Sequence, residues 1–198
     1  NLNTRDKPAN NRIDILLTHL HLDHIQGLGF FKYLFDSDME VHIWGPATST
    51  QTLHSRLSRY LSPPLFPVHI RELPCKLTLH EIGNSQFKIG PFTIRSAYVI
   101  HPGPTVGFRT ANKHSIFTYI PDHEPALEYK DKIGCWHSSM EDTLRFASMA
   151  GVKRLLMAHH DPSHTDAQLN EMLAELKIRT SYPFLYEMAA ENMEIELP

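Results

Sequence analysis

The sequence concentrates its chemistry in His19-Leu20-His21-Leu22-Asp23-His24. Three imidazoles and a carboxylate within six residues are a donor set that suits zinc, manganese or iron. The run follows Ile13-Asp14-Ile15-Leu16-Leu17-Thr18, which reads as a buried strand ending at His19. Alternation along an extended chain sends His19 and His21 to the same side. Asp23 and His24 then enter from the turn into the next element, and Gly27 and Gly29 allow close backbone approach behind it. A solvated, histidine-rich loop is the plainer alternative. Four ligand-type residues at one strand end favour metal binding over it. Histidine is also abundant, with 14 residues that are scattered rather than contiguous and terminal like a tag.

Four other places carry candidate groups. His101 ends a strand over Phe92–Ile100. Asp122 follows a strand over Ser115–Ile120, and a carboxylate, unlike an imidazole, has two oxygens with which to span two cations. Its alternative use is an Asx turn. His159 and His160 follow a strand over Val152–Ala158; neighbours on a strand face opposite ways, so the two compete for one role. His137-Ser138-Ser139 precedes a helix, where anions bind well. The alternative there is that Ser138 is simply the N-cap and His137 an exposed loop residue. His42, His54, His69, His80 and His114 have no ligand spacing and read as surface or core, and Arg109 reads as an exposed strand residue. Trp44 and Trp136 fit either core or pocket wall.

Thr18-His19-Leu20-His21-Leu22-Asp23-His24-Ile25-Gln26-Gly27-Leu28 resembles the signature motif of the metallo-β-lactamase superfamily. His101-Pro102-Gly103-Pro104-Thr105-Val106-Gly107-Phe108 resembles the histidine motif of its ribonuclease Z and small phosphodiesterase branch, and His137-Ser138-Ser139 resembles that branch's His-Ser-Thr element. The resemblance implies His19, His21 and His101 on one metal, Asp23, His24 and His159 on a second, and Asp122 shared. It implies two divalent metal ions, Zn2+ first, with Mn2+ or Fe2+ as alternatives. Two cations roughly 3.5–4 Å apart can share a water and bring its pKa into the physiological range, so that a metal-activated hydroxide attacks. Asp23 and His137 are the implied catalytic residues, and His137, Ser138 and Thr105 the implied substrate contacts.

The implied fold is an α/β, four-layer αβ/βα metallo-β-lactamase sandwich forming one domain over 1–198. Only twelve residues precede Ile13, so the resemblance implies that the fold's N-terminal strands lie outside this sequence. Family members also usually carry a further strand and helix between the positions of Asp122 and His137. The stretch 189–195 resembles the closing strand of bacterial members.

The elements that must position these groups follow from pattern. A helix is expected through Ile25–Phe35, a strand over Glu40–Trp44, and a helix from Pro46 to about Tyr60, because proline suits a first helical turn. Leu61–Pro67, with three prolines, must be loop. Lys76–Ile82, Gln86–Ile89, Phe92–Ile100, Thr105–Thr110 and Ser115–Ile120 read as strands separated by Gly, Pro or Asn. Ser138-Ser139-Met140-Glu141 opens a helix to about Ala150, with Met140, Leu144 and Ala147 on one face. Gly151 ends it; a strand over Val152–Ala158, a helix over Ser163–Ile178, and strands at Tyr182–Tyr186 and Met193–Leu197 complete the chain. Helices alternating with strands fit a layered α/β protein.

Composition narrows the function. The 198 residues are 41% apolar, enough for a real core. A net charge of −3 argues against an extensive nucleic-acid surface. Two cysteines, Cys75 and Cys135, make no disulfide framework, so a reducing, cytoplasmic setting is expected. No apolar run approaches the roughly 20 residues of a membrane span. The reading these features support is a phosphodiesterase acting on small cyclic or diester phosphates, with a homodimer among the assemblies it allows. Short loops and the absence of a recognisable arm for gripping tRNA set it ahead of a tRNA 3'-processing endonuclease. A lactonase, thioesterase or lactamase attacking a carbonyl stays open as a different class.

Overall fold

The computed structural model describes residues 7–124 and 137–197. Cys135 and Trp136 lie outside the described residues. The chain divides into two compact units, one running to Pro121 and one over Asp122–Leu197.

The first unit begins with a parallel sheet of β1 (Arg12–Leu16), β2 (Glu40–Pro46) and β3 (Lys76–Ile82), in that order. Strand β2 alternates: Val41 and Ile43 are fully buried, while His42 and Trp44 point to the other face. There Asp14 registers with His42, and Trp44 with His80. The buried side packs under Leu34, Met39, Leu53, Leu57 and Leu61, all 0–1% exposed. This is the apolar burial that makes the sheet a rigid base for the loops at its ends.

Two helices fall short of the expectation. The segment after His21 is one short helix, α1 (Leu22–Ile25), followed by 3-10 turns over Gln26–Phe30 and Lys32–Phe35. Gly27 and Gly29 are poor helix formers. A Cβ at Gly29 would meet the Tyr60 hydroxyl at 2.7 Å and Phe66 at 2.9 Å, so the turn is held tight by what packs on it. Pro46 is not the start of a helix; it pairs with Ile82 as the last residue of β2. The Thr48 hydroxyl bonds both the carbonyl and the N–H of Gln51 and holds the chain in a turn. Helix α2 (Leu53–Leu57) starts only after Thr52, whose side chain caps Ser55 N–H.

An antiparallel meander follows, β4 (Ser85–Ile89), β5 (Phe92–Tyr98), β6 (Val106–Ala111) and β7 (Ile116–Tyr119). Ile82, Ile94, Val106 and Phe108 form its core, against which Leu16, Trp44 and Phe87 pack. Trp44 stacks on Phe87 at 4.3 Å and on His80 at 3.7 Å. The Val106 N–H donates to the Thr18 carbonyl at 2.9 Å. That bond ties the meander to the residue before His19.

The second unit holds α3 (Met140–Met149), β8 (Arg154–Met157), α4 (Asp166–Arg179) and β9 (Leu185–Met188), with β8 and β9 parallel. Leu144, Ala147, Met157, Leu176, Phe184 and Tyr186 make its core. Gly151 closes α3 with φ +64°, and Thr165 caps α4 in a capping box with Gln168. The expected strand at Met193–Leu197 is not formed; Ala189 N–H bonds the Met157 carbonyl and pairing stops there. No helix among the described residues is long and apolar enough to cross a membrane.

Candidate metal centre

In the first unit the end of β1 carries His19 into the interior, 2% exposed. Its Nδ1 lies 3.2 Å from the Thr18 hydroxyl, a contact that fixes the orientation of the ring. Its ring stands 4.1 Å from that of His24, 4.6 Å from that of His21 and 5.0 Å from that of His101. His101 arrives from the loop after β5, and its Nε2 sits 3.2 Å from His21 Nδ1. His19, His21 and His101 thus offer ring nitrogens within 4.8 Å of one another. Asp23, on the first turn of α1, places an oxygen 3.2 Å from His24 Nε2. Imidazoles crowded this closely would repel one another if protonated. A divalent cation among their lone pairs resolves the crowding, so the donor set fits a metal.

Beside His19 and His21 a cleft of about 370 Å³ opens, lined also by Arg56, Arg59, Tyr60 and Leu65. Tyr60 donates its hydroxyl to the Gln26 carbonyl at 2.7 Å. Arg56 donates through Nη2 to the Pro46 carbonyl. Burial pulls its guanidinium below the ordinary arginine value, opposed by the charges of Glu81 and Tyr98. The two arginines were not singled out from sequence. Their signal there is a three-residue spacing on one helical turn.

In the second unit Asp122 is buried and faces two imidazoles. One oxygen is 3.4 Å from His159 Nε2, the other 4.0 Å from His137 Nδ1. The rings of His137 and His159 stack at 5.1 Å. His159 adopts φ +62°, the left-handed region that a non-glycine residue rarely takes. The chain therefore turns sharply right after β8. His160 is half-buried, and its Nε2 is buried with no hydrogen-bond partner among the described residues.

Ser138 is not the helix cap. Ser139 is: its hydroxyl accepts the Asp142 N–H at 3.1 Å. Ser138 instead donates to the His123 carbonyl at 2.8 Å. His137 sits two residues before that cap with about half its side chain exposed. Thr105 is buried, 1% exposed, with its hydroxyl 3.4 Å from the Gly103 carbonyl in its own loop.

Several known proteins are similar to this chain. A ribonuclease Z of Nanoarchaeum equitans is 32% identical over 105 residues, 52% of this chain and 30% of the relative. One of Thermococcus onnurineus is 28% identical over 111 residues, 54% of this chain and 33% of the relative. The chain thus spans about a third of the length of these two relatives. A ribonuclease Z of Mycobacterium sp. (strain KMS) is 24% identical over 96% of this chain and 79% of its own. Among solved structures, the metallo-β-lactamase fold protein YhfI of Bacillus subtilis superposes with a TM-score of 0.62 at 18% identity, covering 89% of this chain and 74% of that one. A diphosphatase from the PhnP family superposes with a TM-score of 0.50 at 16% identity, over 94% and 73%. The family model described as "Beta-lactamase superfamily domain" matches residues 2–129. The chain belongs to that beta-lactamase superfamily family and has the metallo-β-lactamase fold.

Proposed function

We propose that this chain is a dinuclear metal-dependent phosphodiesterase acting on small cyclic or diester phosphates. In this reading residues 1–198 act as one hydrolase domain, with His19, His21 and His101 holding one cation, Asp23, His24 and His159 the other, and Asp122 serving both. The observation that carries it is the pairing of Asp122 with both His159 and His137 in the second unit. A carboxylate with its two oxygens turned to different partners suits a shared ligand. The His137 imidazole, stacked on His159 beside that carboxylate and just ahead of a capped helix, suits a group that meets a phosphate oxygen.

Two divalent cations, zinc first among them, would supply an acidified water and stabilise charge developing on the phosphoryl oxygens. Thr18 holds the His19 ring in orientation through Nδ1, and the buried Asp122 keeps its charge directed at the histidines. His137 moves a proton to the leaving oxygen, and the Ser138 hydroxyl, bonded to the His123 carbonyl, holds the loop that carries it. A reducing, cytoplasmic setting belongs to the same reading and is supported by Cys75, a buried free thiol.

Hydrolysis of bis(p-nitrophenyl) phosphate, a cyclic nucleotide and a lactone by metal-reconstituted protein tests the reading. Turnover of the phosphate esters but not the lactone is expected; lactone hydrolysis alone would replace it with a carbonyl hydrolase. A tRNA-cleaving enzyme is the second reading, favoured by the curated relatives, which are named ribonuclease Z. Cleavage of a precursor tRNA 3' end, with no turnover of small diesters, would select it.

A further inference from the structure

The cleft beside His19 and His21 has a one-sided charge. Arg56 and Arg59 both line it, and no carboxylate does. This stands out in a chain of net charge −3. The two arginines lie three residues apart on α2 and the turn that continues it, where Arg59 N–H bonds the Arg56 carbonyl and Tyr60 N–H the Leu57 carbonyl. Among the described residues neither guanidinium has a carboxylate ion pair within 4 Å, and Arg56 Nε is buried with no hydrogen-bond partner. Arg56 is held by the Pro46 carbonyl, so its position is fixed before any ligand arrives. Arg59 is exposed and able to swing onto one. Tyr60 spends its hydroxyl on Gln26 and contributes its ring as a wall.

Two guanidiniums without a carboxylate ion pair among the described residues, one of them partly buried, line one concave site and suit an anion received there. Guanidinium groups are the planar, bidentate partners of phosphate. The metal-ligating face of the cleft would take the scissile phosphate, which leaves the arginine face for a different anion on the same molecule.

We propose that Arg56 and Arg59 form a recognition site for a second phosphate, so that the preferred substrate carries one phosphate beside the diester that is cleaved. The inference rests on the phosphodiesterase reading and narrows its substrate class. Simple diesters with one negative charge fill only the metal side of the cleft, and the second phosphate adds affinity rather than chemistry.

Arg59 carries the test, because it is exposed and no described contact of its side chain anchors the fold. Wild-type and Arg59→Ala and Arg59→Glu proteins are assayed, metal-reconstituted, on thymidine 5'-(p-nitrophenyl phosphate) with and without a 3'-phosphate. The 3'-phosphorylated ester is expected to be the better substrate for the wild type. Arg59→Ala should lower kcat/KM for it about tenfold and Arg59→Glu about a hundredfold, mainly through KM, with less than about twofold change on the other ester. The preference should shrink as salt rises, since an exposed guanidinium is screened. Equal losses on both esters, or none, would overturn the proposal. If the wild type cleaves neither ester, the phosphodiesterase reading fails by itself, and binding decides the arginine site. Metal-free wild-type protein should then still bind inorganic diphosphate more tightly than inorganic phosphate by calorimetry. Arg59→Glu should abolish the difference, and its persistence in that variant would sink the site.

Discussion

Asp122 Oδ1 lies 3.4 Å from His159 Nε2, with the carboxylate 3% exposed. A buried carboxylate is tolerated only where cations or donors face it. Asp122→Asn keeps the shape but removes the charge and turns an amide N–H toward one imidazole. If Asp122 serves both cations, metal content should fall below about two ions per chain. Turnover of bis(p-nitrophenyl) phosphate should fall at least ~10²-fold, the scale of losing a key electrostatic contact. Elemental analysis and steady-state kinetics check this on protein whose thermal unfolding confirms the fold. Two bound ions with near-normal turnover would remove Asp122 from the site.

Metal removal should also cost stability. A ligand that binds only the folded chain stabilises it by roughly 2.7 kcal/mol at a hundred times its dissociation constant. For a chain of this size that corresponds to a fall in Tm of roughly 5–10 °C on chelation. Re-adding zinc should restore it. Asp23→Asn, at the first turn of α1, should lose at least ~10² in turnover and show a smaller metal-dependent rise in Tm. An unchanged melting curve with and without chelator would show that the clustered histidines hold no tightly bound ion.

A pH prediction comes from the opposite face of the parallel sheet. Burial pushes the Asp14 carboxyl upward, but the hydrogen bonds from Arg12 and Trp44 Nε1 outweigh it and hold the group below its ordinary value of 3.8. A carboxyl depressed in the folded state contributes stability that is present above its unfolded pKa and is lost as pH falls through the folded one. Asp14→Asn should therefore lower Tm at pH 7 by roughly 2–4 °C, the effect of about 1 kcal/mol in a chain of this size. The gap between variant and wild type should close below pH ~4. A gap independent of pH from 7 to 3 would mean that the substitution acts through packing against Trp44 instead.

The parts of the fold set by burial were legible in the sequence. The apolar alternation of β1 and β2 and that of the meander mark strands, and His19, His101 and His159 each follow a strand end within three residues. What escaped depends on contacts far away in the chain. Nothing local to Gly29 signals that Tyr60 and Phe66 pack onto it, so a long helix was expected where two 3-10 turns form. Pro46 carries a helix-start preference, yet pairing with Ile82 keeps it in the sheet. Ser138 and Ser139 are equivalent as caps by type. Only the His123 carbonyl, placed by the fold, draws Ser138 away and leaves the cap to Ser139. Arg56 and Arg59 were hidden for a similar reason. Their meaning comes from lining one cleft with His19 and His21, which their spacing alone does not reveal.

His137 discriminates the readings most sharply. Its ring stacks on His159 at 5.1 Å, its Nδ1 is 4.0 Å from Asp122, and about half of its side chain remains exposed. It is therefore beside two of the proposed ligands, Asp122 and His159, yet half exposed. An alkoxide leaving group needs a proton, and a positioned imidazole typically contributes 10²–10⁴-fold by supplying it. A nitrophenolate is stable without one. His137→Ala should accordingly cripple hydrolysis of a natural diester such as a cyclic nucleotide by at least ~10²-fold, while bis(p-nitrophenyl) phosphate loses less than about tenfold. Metal content should not change, because His137 is not among the proposed ligands. Equal losses on both substrates would assign His137 to binding or to support of the Ser138 loop. Intact lactone hydrolysis with no effect on any phosphate ester would point to carbonyl chemistry at the same metals.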